Sequence, residues 1–155
     1  MKTFVAVIFF IAGSFLCAQN NSEKDFRNLI ERFYQEVYSE TDSTRLEKFL
    51  TDDFIQFEDG KVFNQDSLRV VIKNLIQQFE SEQNNDRNLE RLNSFEFLKS
   101  NSDENSGWIS YRNSAEFKLD GIRIAEIKWL GTAQFIRTSE GWKIAFIHNT
   151  LIREN

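Results

Sequence analysis

The chain has 155 residues, a formal net charge of −5, a single Cys and a single His. This length suits one domain. An acidic chain without a basic stripe is a poor match for nucleic acid or for an anionic membrane surface, because Lys and Arg supply most of that affinity. One His and one Cys are too few for a zinc site. Dinucleotide-binding, P-loop, zinc-protease and nucleophile-elbow motifs are all missing from the sequence, so we expect neither a cofactor nor a metal.

Residues 1–18 are typical of a cleavable secretory signal peptide. Lys2 supplies a positive start, residues 4–15 are almost entirely apolar, and Ala18 is a small residue suited to the cleavage site. An uncleaved N-terminal anchor and a lipoprotein modified at Cys17 are the alternatives. Cleavage after Ala18 predicts a periplasmic or secreted domain, residues 19–155, with no disulfide and no membrane contact.

Three segments after the signal show helical periodicity, in which apolar residues recur at i, i+3, i+4 and i+7. The first runs from Phe26 to Tyr38, the second is a short helix that restarts at Asp42-Ser43, and the third starts at Asp66 or Ser67. The apolar stripes are Phe26, Leu29, Ile30, Phe33, Tyr34, Val37 and Tyr38; then Leu46, Phe49 and Leu50; then Leu68, Val71, Ile72, Leu75, Ile76 and Phe79.

Strand patterns occupy most of the remaining chain. Asp59-Gly60 predicts the turn of a short hairpin between residues 54–57 and 62–63, and Asp120-Gly121 predicts a second hairpin turn. We expect a polar loop over residues 99–106, and a bend or bulge at Gly131 because residues 122–137 are long for one flat strand. Helices followed by a run of antiparallel strands predict an α+β fold.

The last strand carries apolar residues on both of its faces. Ile144 and Phe146 share one parity, and Ala145 and Ile147 share the other. A sheet covered by helices on one side normally has a polar second face. We therefore expect this second face to be covered as well, for example in a homodimer formed through the sheet.

The order of these elements, together with three segments at their junctions, resembles the nuclear-transport-factor-2-like superfamily, which includes SnoaL-like cyclases and ketosteroid isomerases. The segments are residues 50–54 (Leu-Thr-Asp-Asp-Phe), 57–60 (Phe-Glu-Asp-Gly) and 141–148 (Gly-Trp-Lys-Ile-Ala-Phe-Ile-His). The resemblance implies a cystatin-like α+β cone, in which a curved antiparallel sheet wraps about three N-terminal helices. It also implies a pocket at the wide end of the cone.

Two residues are candidates for acid–base catalysis. Asp59 lies where the resemblance to ketosteroid isomerases places a proton-abstracting carboxylate, with Tyr34 near the hydroxyl donor; the alternative is that Asp59 serves only the hairpin turn. A second acidic donor is missing, since residues 127–129 read Ile-Lys-Trp. His148 could act as an acid or base near neutral pH, or could be a half-buried residue at the end of the sheet.

Tyr34, Tyr38 and Trp129 are candidate ligand contacts because aromatic residues with a polar tip suit a pocket rim. Three functions remain open. The first is an exported domain that binds a small, mostly apolar molecule. The second is a lyase, isomerase or cyclase that uses Asp59 or His148 as its base, and the third is a structural or interaction domain.

Overall fold

A computed structural model describes residues 22–83 and 87–153. The expected signal peptide, residues 1–18, lies outside these ranges. No helix within the described part is long and apolar enough to cross a membrane.

The first helix, α1, covers residues 22–33 and continues as a π-helical turn over Tyr34–Ser39. The wider turn is closed by a hydrogen bond from the Glu40 N–H to the Gln35 carbonyl at 2.9 Å, five residues back. The predicted apolar stripe is confirmed, because six of its seven residues are buried: Phe26, Ile30, Phe33, Tyr34, Val37 and Tyr38.

The other two helices start at side-chain caps. Asp42 accepts the backbone N–H of Thr44 at 2.9 Å and starts a 3₁₀ turn, Ser43–Arg45, that leads into α2, Leu46–Phe49. The third helix, α3, spans Gln65–Gln83. Its cap is Asn64, whose side chain accepts the Ser67 N–H at 2.9 Å while the Ser67 hydroxyl accepts the Asn64 N–H at 2.8 Å. The helix therefore begins slightly earlier than the sequence predicts.

Within the described ranges, six strands form one sheet with the order β2-β1-β6-β5-β4-β3. The strands are β1 Leu50–Glu58, β2 Lys61–Asn64, β3 Leu89–Ser102, β4 Ser106–Leu119, β5 Ile122–Thr138 and β6 Gly141–Leu151. The predicted α+β class is confirmed, since the described residues form three helices and a mostly antiparallel sheet. One pair, β1 with β6, is parallel, which the sequence analysis did not predict. Parallel pairing is possible here because α3 and four strands separate β1 from β6 along the chain, so no tight turn has to join them.

Both predicted Asp-Gly hairpin turns are present. Asp59 and Gly60 have φ angles of 48° and 80°, and Asp120 and Gly121 have 54° and 78°. Two consecutive positive φ angles are the mark of the type I′ turn, whose twist matches that of the flanking strands.

The predicted polar loop over residues 99–106 is wrong for most of its length. β3 continues to Ser102 and β4 starts at Ser106, so only residues 103–105 lie between them. Asp103 closes this turn by accepting the backbone N–H groups of Asn105 and Ser106 at 2.8 and 2.7 Å. The polar residues were mistaken for a loop because they belong to strand ends that are only partly covered.

The core lies between the helices and the inner face of the sheet. Phe26 of α1 stacks on Phe135 of β5, with ring centroids 4.2 Å apart. Gly107 of β4 allows this close approach, because a Cβ atom there would lie 2.4 Å from the Phe26 ring. Burial of these rings fixes α1 across the sheet.

Glu36 ties the π-helical turn to the next two elements. Its carboxylate accepts hydrogen bonds from Arg32 at 3.0 Å, Arg45 at 2.7 Å and Lys48 at 2.6 Å. Partial burial opposes ionisation of Glu36, but the hydrogen bonds from Lys48, Arg45 and Arg32 outweigh it and lower its pKa from 4.5 to about 2.

We predict that Glu36→Gln lowers the free energy of unfolding near neutral pH by about 1 kcal/mol, a value discounted because the cations are solvent-exposed. A carboxyl whose folded pKa is depressed stabilises the fold above its unfolded pKa and loses this contribution as the pH falls through the folded pKa. The difference between wild type and variant should therefore shrink between pH 4.5 and about 2. Urea unfolding at several pH values measures it, and a difference that stays constant with pH would contradict the assignment.

Candidate functional site

A cavity of about 90 Å³ lies at one end of the helix–sheet layer. It is enclosed by the π-helical turn, the β1–β2 hairpin, α3, and the inner face of β3, β5 and β6. Its lining is aromatic (Tyr34, Tyr38, Phe63, Trp129), aliphatic (Leu68, Val71) and polar (Gln56, Glu58, Arg91, Asn149). Since a water in the liquid takes about 30 Å³, the cavity has room for about three waters or a small molecule of that size.

Asn149 of β6 is the centre of a hydrogen-bond network on one wall of the cavity. Its amide nitrogen donates to the Tyr34 hydroxyl at 3.1 Å and to the Glu58 carboxylate at 3.3 Å. Its amide oxygen accepts from the Tyr111 hydroxyl at 3.4 Å, and the two tyrosine hydroxyls lie 3.3 Å apart. Because the Tyr111 proton is used on Asn149, Tyr34 donates to Tyr111, which closes a three-membered ring of hydrogen bonds.

The two tyrosines in this ring act as neutral phenols. Burial raises the pKa of Tyr34, and burial raises the pKa of Tyr111 further above its ordinary value. Both hydroxyls therefore keep their protons at neutral pH and remain hydrogen-bond donors.

Gly131 of β5 makes room for this network. A Cβ atom at this position would lie 2.5 Å from the Tyr111 ring and 2.7 Å from the Asn149 amide oxygen. Of the bend or bulge that we expect at Gly131, the bulge is not found, because the pairing of β5 with β4 and with β6 shows no register shift there. The glycine is explained instead by the close approach of two side chains from the flanking strands.

Glu58 extends the network to the mouth of the cavity. Besides Asn149, it accepts a hydrogen bond from the Gln56 amide at 2.6 Å. Both residues lie on the inner face of β1, where strand alternation places Phe54, Gln56 and Glu58 on the same side.

Arg91 of β3 supplies a cation on the same cavity. Its guanidinium lies over the rings of Tyr38 at 4.8 Å and Trp129 at 6.0 Å and donates to Asn93 at 3.3 Å. In the described ranges no carboxylate lies within ion-pair distance of Arg91. Burial lowers the pKa of Arg91 from its ordinary value, and aromatic faces rather than a counter-ion surround the charge.

Two buried polar atoms of cavity residues have no hydrogen-bond partner. They are Nε of Arg91, a donor, and Oε1 of Gln56, an acceptor. Buried polar atoms are satisfied in the great majority of cases, so each of these requires an explanation.

Asp59 does not line this cavity. It starts the β1–β2 turn, and its carboxylate accepts the backbone N–H of Leu151 at 3.0 Å. The side chain lies at a wider surface groove that also includes Arg123 and Arg153. The neighbouring residue Glu58 is the carboxylate on the cavity wall.

His148 also lies outside the cavity. It is exposed on the outer face of the sheet, paired with Phe57 of β1, and their ring centroids are 6.4 Å apart. The sequence parity groups His148 with Ile144, but the β5–β6 register shifts between Ile144 and Phe146. This shift brings Ile147 and Asn149 to the inner face and leaves His148 outside.

The structure does bring Tyr34, Tyr38 and Trp129 together on the cavity. The polar residues Gln56, Glu58, Arg91 and Asn149 were missed. Glu58 could have been found from its shared parity with Phe54. Arg91 could not, because no sequence pattern indicates that β3 begins as early as Leu89.

The described residues contain no group of three His, Cys, Asp or Glu side chains that could hold a metal ion. The chemistry available in the cavity is hydrogen bonding, one carboxylate, one guanidinium and aromatic contact.

No family model and no curated protein matches the chain. Solved structures do match over most of its length. A protein described as NTF2-like with a cystatin-like fold, from Novosphingobium aromaticivorans, has a TM-score of 0.72 at 13% identity, covering 99% of this chain and 94% of that one. A conserved protein from Planctomyces limnophilus has a TM-score of 0.64 at 18% identity, covering 86% and 98%. A hexachlorocyclohexane dehydrochlorinase has a TM-score of 0.66 at 13% identity, covering 86% of each chain.

The architecture is therefore an α+β cone with a cavity between its helices and its curved sheet. This is the cystatin-like fold of the similar solved structures, and it is the fold that the sequence resemblance implied.

We predict that Gly131→Ala destabilises the protein by about 1–3 kcal/mol, because the added methyl displaces Tyr111 or Asn149 from a packed position. Thermal unfolding measures the loss, and the hydroxyl resonances of the two ring tyrosines should change with it. Thr132→Ala, at the next residue on the other face of β5, is the matched control and should have a smaller effect. Equal effects of the two substitutions would refute the role of Gly131.

Proposed function

We propose that this protein is an exported binding domain that holds a small organic molecule in the cone cavity. The observation that carries the proposal is the composition of the cavity wall, with aromatic side chains on one part and the Asn149 network on another. Such a mixture of apolar surface with a few convergent polar groups is what small-molecule sites use for affinity and orientation.

The size and polarity of the cavity narrow the choice of ligand. At about 90 Å³ it is smaller than the roughly 300–1,000 Å³ of drug-sized sites. The ligand is therefore a small molecule, or a larger one of which only one end enters. The sequence predicts a mostly apolar ligand, but four of the ten lining residues are polar or charged. We therefore propose a ligand that also carries polar groups.

Export is proposed from residues 1–18 alone, with Lys2, the apolar stretch and Ala18 as its support. Protein recovered outside the cytoplasm should begin at Gln19. The same N-terminal analysis would reveal an uncleaved anchor or a chain that starts at a modified Cys17.

Catalysis by proton transfer is the second candidate function. The observation in its favour is that a carboxylate, Glu58, lies on the cavity wall beside the hydroxyl network of Tyr34. In this hypothesis Glu58 replaces Asp59 and His148 as the base. One structural neighbour is named as a dehydrochlorinase, but a shared fold is weak support for a shared reaction. Exchange of a ligand C–H for deuterium in heavy water, abolished in Glu58→Gln, would distinguish catalysis from binding alone.

We predict that Val71→Trp blocks ligand binding, because Val71 of α3 lines the cavity and an indole would occupy it. Val70→Trp is the matched control, since the adjacent Val70 is 57% exposed on the outer side of the same helix. Phenol is a suitable probe, with binding followed by ligand-observed NMR and folding by circular dichroism. Binding that survives in a folded Val71→Trp variant would refute the cavity as the site.

The outer face of the sheet supports a further part of the proposal, a homodimer. Ile55, Phe57, Leu130 and Ile136 are 36–47% exposed there. Phe57 also packs against Phe146 of the adjacent strand, with ring centroids 5.2 Å apart. Phe57 and Phe146 therefore form a contiguous apolar contact on this face, which a second copy would cover.

We predict that Phe57→Glu converts the dimer to a monomer, because it places a charge in the centre of the contact. Sedimentation velocity at micromolar concentration measures the change. Ile122→Glu is the control, since Ile122 is equally apolar and 71% exposed but lies at the tip of the β4–β5 hairpin. A wild-type protein that sediments only as a monomer would refute the dimer.

A further inference from the structure

Two opposite charges line the same small cavity without pairing to each other. Glu58 is held by two neutral amides, those of Gln56 at 2.6 Å and Asn149 at 3.3 Å. Arg91 is held by aromatic rings and the Asn93 amide oxygen. Because each charged group contacts only neutral groups of the protein, both remain able to interact with a bound ligand.

The two buried atoms without a hydrogen-bond partner belong to the same two sides of the cavity, one to the cation and one to the residue beside the anion. Arg91 Nε is a buried donor without an acceptor, and it belongs to the cation. Gln56 Oε1 is a buried acceptor without a donor, and it belongs to the residue that holds the anion. The cavity therefore lacks an acceptor near Arg91 and a donor near Gln56, the residue that holds Glu58.

We propose that the ligand is a short dipolar carboxylic acid, which presents its carboxylate to Arg91 and an ammonium or hydroxyl donor to Glu58. This inference rests on the proposed binding function and names the ligand class for the same cavity. Glycine, β-alanine and lactate are molecules of this kind.

The guanidinium of Arg91 is the reason for proposing a carboxylate on the ligand. Its planar fork of N–H groups matches a carboxylate in a bidentate contact, and the rings of Tyr38 and Trp129 fix its plane. Arg91 has no carboxylate of the protein to bind in the described part of the chain, so the ligand does not compete with an internal ion pair.

Glu58 explains why a carboxylate alone is not enough. A ligand with only a negative charge would be repelled by Glu58, since both lie in a cavity with apolar walls where charges are poorly screened. A donor group on the ligand replaces that repulsion with a charge-assisted hydrogen bond. The site therefore selects for a molecule with both groups a few bonds apart.

The experiment is an NMR titration of the purified, isotope-labelled protein that follows the Arg91 Nε–H and the Trp129 indole N–H. The probes are β-alanine and lactate, which carry both groups, propionate, which has only the carboxylate, and propan-2-ol, which has only the donor. We expect the first two to bind at least about tenfold more tightly than the others, the effect of one added charge-assisted contact.

Variants assign the two ends of the ligand. Arg91→Met keeps an unbranched apolar stem against Tyr38 and should lose at least about tenfold in affinity for all carboxylates, while Arg91→Lys, which keeps the charge without the fork, should lose less. Glu58→Gln should reduce the preference for β-alanine over propionate. Arg112→Met and Glu96→Gln are the controls, because these two residues pair with each other at 2.8 Å on the outer face.

Equal binding of propionate and β-alanine, or unchanged binding in a folded Arg91→Met variant, overturns the inference. Phenol could bind to the wild type and not to Val71→Trp while no carboxylate binds. In that case the proposed ligand class is wrong and the proposed binding function stands. If phenol and the carboxylates all fail to bind, both proposals fall together.

Discussion

The three-way contact of Tyr34, Tyr111 and Asn149 is the constraint on which the cavity depends. It joins the π-helical turn to β4 and β6 through a closed ring of hydrogen bonds. Buried polar groups stabilise a structure only when they are satisfied, and here each of the three satisfies the other two. The contact holds the helix at a fixed distance from the sheet, and that distance sets the depth of the cavity.

Gly131 shows how closely the sheet is adapted to this contact. The side chains on either side of it come from strands that pair directly with β5, namely Tyr111 in β4 and Asn149 in β6. Any larger residue at the middle position would separate them. The π-helical turn contributes from the other side, since it places Tyr34 and Tyr38 in a stack with ring centroids 5.3 Å apart. Wide turns of this kind are frequent at functional sites.

The fold could be predicted from the sequence because it depends on patterns that are local. The stripe of α1, the Asp42 cap and the two Asp-Gly turns each act within a few residues, and each is present in the structure. The parallel pairing of β1 with β6 could not be predicted in this way, since residues so far apart in the chain leave no periodic signal. The length of β3 was missed because its inner positions include the polar Arg91 and Asn93 and its exposed positions include Leu92 and Leu98, which obscures the apolar alternation.

The candidate site was predicted only in part, because it depends on strand parity. Tyr34 and Tyr38 were predicted because helical periodicity indicates which face of α1 they lie on. Trp129 was predicted because it is aromatic. His148 was assigned to the wrong face because a single register shift between Ile144 and Phe146 exchanges inside and outside for the rest of β6. Asp59 was chosen from the resemblance to ketosteroid isomerases, but it lies in the turn, and the carboxylate on the inner face of β1 is Glu58, one residue earlier.

The unpaired polar groups in the cavity lower the stability of the fold, which is an argument that they serve ligand binding. A buried donor or acceptor without a partner costs about 1–3 kcal/mol, and Arg91 and Gln56 each carry one. An aliphatic residue at position 91 could pack against Tyr38 and Trp129 without this cost. Glu36 offers the comparison, since its carboxylate is matched by three cations and serves the fold directly. Arg91 and Glu58 lack such matching, and a ligand that joins them would supply it.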